Sequence, residues 1–406
     1  MNIQKTPNLA PKTLYFDNAA TTRTDEAVLE TMLPYFTEVY GNPSSIYKLG
    51  QEARQAVEQA RSTLAKLLGC QPEELYFTSG GSESNNTALK GLAASQSRKG
   101  CHIITSKIEH PSVLASCASL AKASFEISYV GVNKQGIINL EELAAAIRPD
   151  TVLISVMLAN NEIGTIQPIK EIARLAQAKG ILLHTDAVQA AGTLPLNIGA
   201  LGVDSLSLSG HKFYGPKGIG LLYVRKGVPF QGLIDGGHQE RGRRAGTENL
   251  PGIVGLAKAL ALAYENMAAN SRRIRELRDY YEERIAREIP YVQFNGHPSQ
   301  RLPGCSNISF RFIEGESLLL NLDLKGIAAS SGSACTSGSL EPSHVLLATG
   351  LSPEIAHGSL RISIGKHNTR AQVDYLVDSL VEIVARLREM SPLWEDFLAE
   401  RQNQAI

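Results

Sequence analysis

Lys212 stands in Ser209-Gly-His-Lys-Phe-Tyr-Gly-Pro-Lys-Gly218, directly after the apolar run Asp204–Ser209. A lysine that leaves a buried strand into a glycine-rich loop can hold a carbonyl cofactor as a Schiff base, because packing lowers its pKa and fixes its amine. That chemistry points to pyridoxal phosphate (PLP). A solvated loop lysine is the ordinary alternative, so other residues have to decide. Thr78-Ser-Gly-Gly-Ser-Glu-Ser84 follows a strand-like run and opens a helix, so its amides and the hydroxyls of Ser79 and Ser82 could cradle a phosphate. Glycine and serine also cap helices without binding anything. The chain has no Gly-x-Gly-x-x-Gly and no Gly-Lys-Ser/Thr, which disfavours a dinucleotide or a nucleoside triphosphate.

Asp186, in His184-Thr-Asp-Ala-Val-Gln189, comes at the end of an apolar run, at the carboxyl edge of a strand where open α/β sheets bind ligands. A carboxylate there can pair with a protonated pyridine nitrogen and make the ring a better electron sink; it can equally cap the next helix. His110, in Ile108-Glu-His-Pro-Ser112, could stack on a flat cofactor and carry protons near neutral pH, or be a structural histidine. The nine histidines show no His-Glu-x-x-His or similar spacing, and no protein-built metal site is expected.

Sulfur chemistry falls to Cys335, in Ser330-Ser-Gly-Ser-Ala-Cys-Thr-Ser-Gly-Ser339. No bulky neighbour lies within four residues of it, so the segment of about 330–342 is expected to be a mobile, accessible loop. Cys70, Cys101, Cys117 and Cys305 lie beside apolar or element-edge positions and are expected to pack as small hydrophobes. A reactive cysteine needs access as well as thiolate character, and only Cys335 has a clear claim to access. Arg361 interrupts the strand-like Ser359-Leu-Arg-Ile-Ser363; a buried guanidinium there needs either a substrate carboxylate or an internal salt bridge.

These residues must be held by something large. With 406 residues the chain is too long for one ordinary core and suggests two domains, while 40 basic against 40 acidic residues give no reason to expect nucleic acid or an anionic membrane as partner. No apolar stretch approaches a transmembrane span, and the start, Met-Asn-Ile-Gln-Lys-Thr-Pro, lacks the apolar core of a signal peptide. Five widely spaced cysteines without Cys-x-x-Cys argue for free thiols and a cytoplasmic protein.

Short β-branched runs at Glu74–Thr78, His102–Ser106, Glu126–Val130, Thr151–Met157, Ile181–Thr185, Asp204–Ser209 and Gly218–Val224 alternate with helical patterns such as Gln51–Leu68, Ser82–Ala94 and Pro168–Ala178. This alternation predicts an α/β fold, a mostly parallel seven-stranded sheet with helices on both faces. A large domain over 20–262 and a smaller α+β domain over 1–19 and 263–406 follow, the latter with strands near Asn307–Phe312 and Ser359–Ile364 and a helix over Ala371–Met390. Helical runs over Ile253–Met267 and Ser271–Glu288 are expected to act as a long helix around 253–288 that joins them rigidly.

Taken together, the chain resembles the cysteine desulfurases of the NifS/IscS type, within the aminotransferase class V group of fold-type I PLP enzymes. The resemblance runs from Tyr15-Phe-Asp-Asn-Ala-Ala-Thr-Thr22 through Tyr40-Gly-Asn-Pro-Ser44, Asn160-Asn-Glu-Ile-Gly164, Gln239-Glu-Arg-Gly-Arg-Arg-Ala-Gly-Thr247 and Ser333-Ala-Cys-Thr336 to Leu340-Glu-Pro-Ser343. It implies Lys212 as the Schiff-base lysine, Asp186 on the pyridine nitrogen, Gln189 on the phenolic oxygen and His110 stacked on the ring. Gly81, Ser82, Ser209 and His211 would hold the phosphate, with Thr247 supplied by the second subunit of a homodimer. Asn161, at the cofactor, and Arg361 would receive the substrate carboxylate, and Cys335 would be the nucleophile. Ser82 stands where threonine is common, Ala245 where serine is, and His344 where tyrosine is; the hydroxyl at 82 is kept.

The implied reaction takes L-cysteine to L-alanine. Lys212 removes the α-proton, the Cys335 thiolate attacks the substrate sulfur, and the resulting persulfide passes to acceptors such as an iron–sulfur scaffold or the machinery of tRNA thiolation. Cys335 is also a candidate transient iron–sulfur ligand. A class V aminotransferase would share Lys212 and Asp186 but would not need Cys335; a cysteine or selenocysteine lyase differs in its products; an inactive sulfur-transfer scaffold would lack the cofactor.

Overall fold

The computed structural model describes residues 13–331 and 341–404. Cys335 and most of the 330–342 segment therefore lie outside the described residues, as do residues 1–12. The strands, in chain order, are β1 (Leu14–Tyr15), β2 (Leu75–Thr78), β3 (His102–Ser106), β4 (Glu126–Val130), β5 (Thr151–Ser155), β6 (Leu182–Asp186), β7 (Ser205–Ser209), β8 (Gly220–Val224), β9 (Val292–Asn295), β10 (Cys305–Phe310), β11 (Ile327–Ala328) and β12 (Ser359–Ser363).

As the alternating pattern predicts, seven of them form one sheet; their order is β2-β8-β7-β6-β5-β3-β4. β8 runs antiparallel to both neighbours, and the other pairings are parallel. β3, β5, β7 and β8 are buried at every position, as strands covered by helices on both faces must be. The main core fills the space between the sheet and helices such as Lys48–Leu68 and Leu250–Glu265, gathering Leu64, Leu68, Ile154, Leu183, Leu206 and Leu256. The covering helix Lys48–Leu68 ends on Gly69 at φ 71°, the left-handed turn that suits glycine.

β12, β10 and β9 form a three-stranded antiparallel sheet with its own core around Tyr281, Phe310, Leu360 and Val377. Phe16 and Ile327 join this core, and β1 pairs in parallel with β11. The chain following β1 then crosses to the large sheet.

The structure differs from the sequence reading at two places that matter. The segment around 253–288, expected to join the domains as one long helix, is two helices, Leu250–Glu265 and Met267–Glu288, close to the separate runs Ile253–Met267 and Ser271–Glu288; they meet at Asn266 with φ −107° and ψ 7°. Asparagine competes with helical hydrogen bonding through its own side chain, and here its Nδ2 turns back to the Leu262 carbonyl at 3.4 Å. β5 stops at Ser155 rather than Met157, because the Met157 N–H leaves the ladder and donates to the carboxyl group of Glu109. Among the described residues no helix is long and apolar enough to cross a membrane.

Candidate active site

The carboxyl ends of β6 and β7 deliver two of the residues singled out above. Asp186 is the last residue of β6, and Lys212 ends the short turn Gly210–Lys212 that follows β7. The Lys212 ammonium donates to the carbonyls of Ala19 (2.6 Å) and Ala20 (2.8 Å). Gln189 donates to the same Ala19 carbonyl at 2.9 Å, and Thr22 closes on the His211 carbonyl through both its N–H and its hydroxyl. The segment after β1 therefore straps across the lysine.

Asp186 is 5 % exposed and nevertheless well supported. Its Oδ1 accepts from the Val188 N–H at 2.9 Å and its Oδ2 from Asn85 Nδ2 at 2.6 Å. Asn85 comes from the helix Gly81–Gln96 and is itself buried. Its Nδ2 also donates to Ser112 Oγ at 2.9 Å, and that hydroxyl lies 2.7 Å from His110 Nδ1. Aspartate and histidine are thus joined through one amide and one hydroxyl.

His110 caps the helix Pro111–Lys122, its Nδ1 accepting the Ser112 N–H at 3.1 Å. A ring that accepts at Nδ1 carries its proton on Nε2 when neutral. Burial, aided by the charges of Lys212 and His344 and opposed by Asp186, holds the imidazole below its usual pKa and so favours that neutral form. His211 is pushed down to about 4 by burial, with Lys212 and Lys217 adding to the effect.

Where the helix Gly81–Gln96 begins, three elements converge. A Cβ built on Gly81 would lie 2.7 Å from Val188 Cγ2 and 3.5 Å from Ser209 Cβ, so the exits of β6 and β7 meet the helix N-terminus there. First-turn amides of a helix lack intrahelical acceptors and favour an anion. Ser209 is buried at this junction and Ser82 is exposed. Thr247 is also exposed, and its neighbours Gly246 and Glu248 line a small cavity with Thr78 and Ser79.

Arg361, on β12, is 2 % exposed in its side chain. Its Nη1 donates to the Asn161 carbonyl at 3.0 Å and its Nη2 to Asp17 Oδ1 at 2.6 Å. The next residue along the turn, Glu162, is buried, and burial raises its pKa although Ser343 Oγ donates to its Oε2 at 2.5 Å. Ser343 caps the helix His344–Ala348, and His344 Nε2 reaches the Glu109 carbonyl at 3.0 Å. A cavity of about 450 Å³ lies beside Lys212, bounded by Asn18, Gln189, Cys305 and Ser363.

Sequence reasoning passed over Asp17, Asn85, Glu109, Ser112 and Glu162. Asp17, Glu109, Ser112 and Glu162 lie inside motifs that the sequence reading quoted, which was the available signal. Asn85 had none, since a helix asparagine acquires meaning only when two helices bring it against its partners. Among the described residues no group of three or more His, Cys, Asp or Glu is placed to hold a metal, and the thiols of Cys70 and Cys117 are pushed up to about 12 and that of Cys305 to about 11 by burial.

Residues 14–376 match the family model described as aminotransferase class-V. The cysteine desulfurase IscS of Methanosarcina thermophila is 55% identical over 382 residues, covering 94% of each chain. That of Clostridium botulinum (strain Hall) is 50% identical over 395 residues, 97% of this chain and 100% of the relative. A solved NifS-like protein superposes with a TM-score of 0.87 at 41% identity over 92% of this chain and 100% of its own. SspA, solved in complex with cysteine, superposes with a TM-score of 0.78 at 38% identity over 88% of this chain and 100% of its own. The chain belongs to the aminotransferase class-V family and, within it, to the cysteine desulfurases of the NifS/IscS type.

Proposed function

We propose that this protein is a PLP-dependent cysteine desulfurase that converts L-cysteine to L-alanine and passes the sulfur through Cys335 to acceptors. The observation that carries this reading furthest is the convergence at the ends of β6 and β7. There a lysine, an aspartate tied to a histidine through Asn85 and Ser112, and a helix N-terminus without side-chain bulk at Gly81 come together.

That donor set fits the cofactor. Gly81, Ser82, Ser209 and His211 would take the phosphate, with Thr247 reaching the same group from a second copy of the chain. Asp186 would hold the proton on the pyridine nitrogen, Gln189 would donate to the phenolic oxygen, Asn161 would contact cofactor and substrate, and neutral His110 would lie against the ring. Bound there, PLP supplies an electron sink for the substrate α-carbon.

The chain's own residues do the rest. Arg361 holds the substrate carboxylate as a charge-assisted pair. Lys212, whose Nζ meets the Ala19 and Ala20 carbonyls, would be the residue that holds the cofactor's carbonyl carbon, and as a free amine it would take the substrate α-proton. The Cys335 thiolate attacks the substrate sulfur: a sulfur–sulfur bond forms, the carbon–sulfur bond breaks, and its electron pair goes to the carbon skeleton, which regains the α-proton from Lys212, takes up a second proton at the β-carbon and leaves as alanine. His110, with its proton on Nε2, is suited to deliver it.

Exposed apolar side chains grouped along residues 29–47, Leu29, Leu33, Phe36, Tyr40, Ile46 and Tyr47, support assembly as a homodimer. Free thiols fit a reducing compartment, and the sulfur acceptor would be a protein such as an iron–sulfur scaffold. Incubating the purified holoenzyme with L-cysteine and a thiol reductant tests the reaction. Equal yields of alanine and sulfide are expected; pyruvate and ammonia instead would make it a lyase, and amino-group transfer to an oxo-acid an aminotransferase.

A further inference from the structure

The carboxylate receptor already holds a carboxylate. Arg361 Nη2 donates to Asp17 Oδ1 at 2.6 Å, with the two side chains 2 % and 16 % exposed. The pair is not a chance surface contact, because the same two segments are stitched by backbone. The Ser363 N–H donates to the Phe16 carbonyl at 2.7 Å, the Asn18 N–H reaches the Ser363 carbonyl at 3.4 Å, and Asp17 bridges Ser363. Tyr15 pins the turn from the other side, its hydroxyl donating to the Asp17 and Thr21 carbonyls, each at 2.9 Å. Asp17 is therefore fixed against the strand that carries Arg361.

A guanidinium this buried is costly unless an anion compensates it. Among the described residues two acids face it, Asp17 in direct contact and Glu162 through space. Glu162 is engaged by Ser343 and burial favours its neutral form. Asp17 is thus the acid in direct contact with Arg361 among the described residues. An incoming α-carboxylate meets a cation that is already neutralised, and must either share Arg361 with Asp17 or displace it; like charges on one guanidinium repel.

We infer that Asp17 is an affinity-setting residue of the substrate site: it keeps Arg361 paired and aimed while the site is empty, and it weakens carboxylate binding so that the amino-acid product is released. The inference rests on the reading of Arg361 as the carboxylate receptor. It makes a prediction opposite in sign to that of a structural role, since structural damage weakens binding.

The test is calorimetric titration of L-alanine into the holoenzyme, for the wild type, Asp17→Asn and Arg361→Lys. Asparagine keeps the volume and the acceptor oxygen and removes the charge. Asp17→Asn is expected to bind L-alanine about tenfold more tightly, to lower kcat and KM together as release slows, and to have a lower ligand-free Tm that saturating L-alanine restores. Unchanged or weaker L-alanine binding by Asp17→Asn, with Arg361→Lys weakened, overturns the inference alone. If Arg361→Lys binds L-alanine as the wild type does, the receptor reading itself fails. Should the asparagine variant not fold, Asp17→Ser carries the same expectation and the same refutation.

Discussion

Glu109 offers the sharpest pH test of the site's architecture. It is 0 % exposed, beside His110, and its carboxyl accepts Ser106 Oγ at 2.5 Å and the Met157 N–H at 3.0 Å. Burial pushes its pKa from 4.5 up to about 8; Asp186 adds to the rise, and the hydrogen bonds from Ser106 and Met157 oppose it without cancelling it. Its folded-state pKa is above its unfolded value, so the native state binds the extra proton. The stability this contributes is complete below about 4.5 and is lost as pH rises through about 8. At about 1.4 kcal/mol per pH unit the full span amounts to about 5 kcal/mol, an upper figure because water and relaxation soften buried charges. Glu109→Gln keeps an acceptor for Met157 and removes the titration. Urea unfolding of the holoenzyme and of the variant at pH 5.5, 7 and 9 is expected to show the variant gaining several kcal/mol on the wild type toward alkaline pH. Parallel stability curves across that range would refute the reasoning.

Two further outcomes follow from the same geometry. Asn85→Ala removes the donor to Asp186 and Ser112 and is expected to weaken PLP binding about tenfold to a hundredfold, from the roughly 1–3 kcal/mol cost of stranding a buried acceptor; unchanged PLP affinity by absorbance titration counts against the link. Arg61→Ala breaks a buried bidentate pair with Glu240 at 2.7 and 2.9 Å, side chains 4 % and 3 % exposed, whose carboxylate also holds the Phe77 N–H. A loss of about 3–5 kcal/mol is expected in urea unfolding, and a loss below about 1 kcal/mol would contradict it.

Much of the fold was legible because its signals are local. Seven β-branched runs at regular spacing gave the seven strands of the main sheet, and the apolar face of Gln51–Leu68 gave a covering helix. Lys212 and Asp186 were readable as strand-end residues for the same reason. What could not be read depends on partners far away in the chain. Asp17 and Arg361 are 344 residues apart, and Asn85 and Asp186 are 101. The carbonyls of Ala19 and Ala20 hold Lys212 through backbone alone, which residue type does not reveal. The end of β5 was misplaced because Met157 is apolar enough to extend a strand while its N–H serves Glu109. The break at Asn266 falls between the helical runs Ile253–Met267 and Ser271–Glu288, which the sequence reading had joined into one rigid connection.

Cys335 is the residue proposed to take sulfur from the substrate while Lys212 and the cofactor labilise it. The most direct measurement is alanine formation from L-cysteine by Cys335→Ser holoenzyme under a thiol reductant, beside the wild type at equal PLP occupancy. The variant is expected to bind PLP and L-cysteine but to form little alanine; alanine at the wild-type rate would rule out Cys335 as the sulfur acceptor.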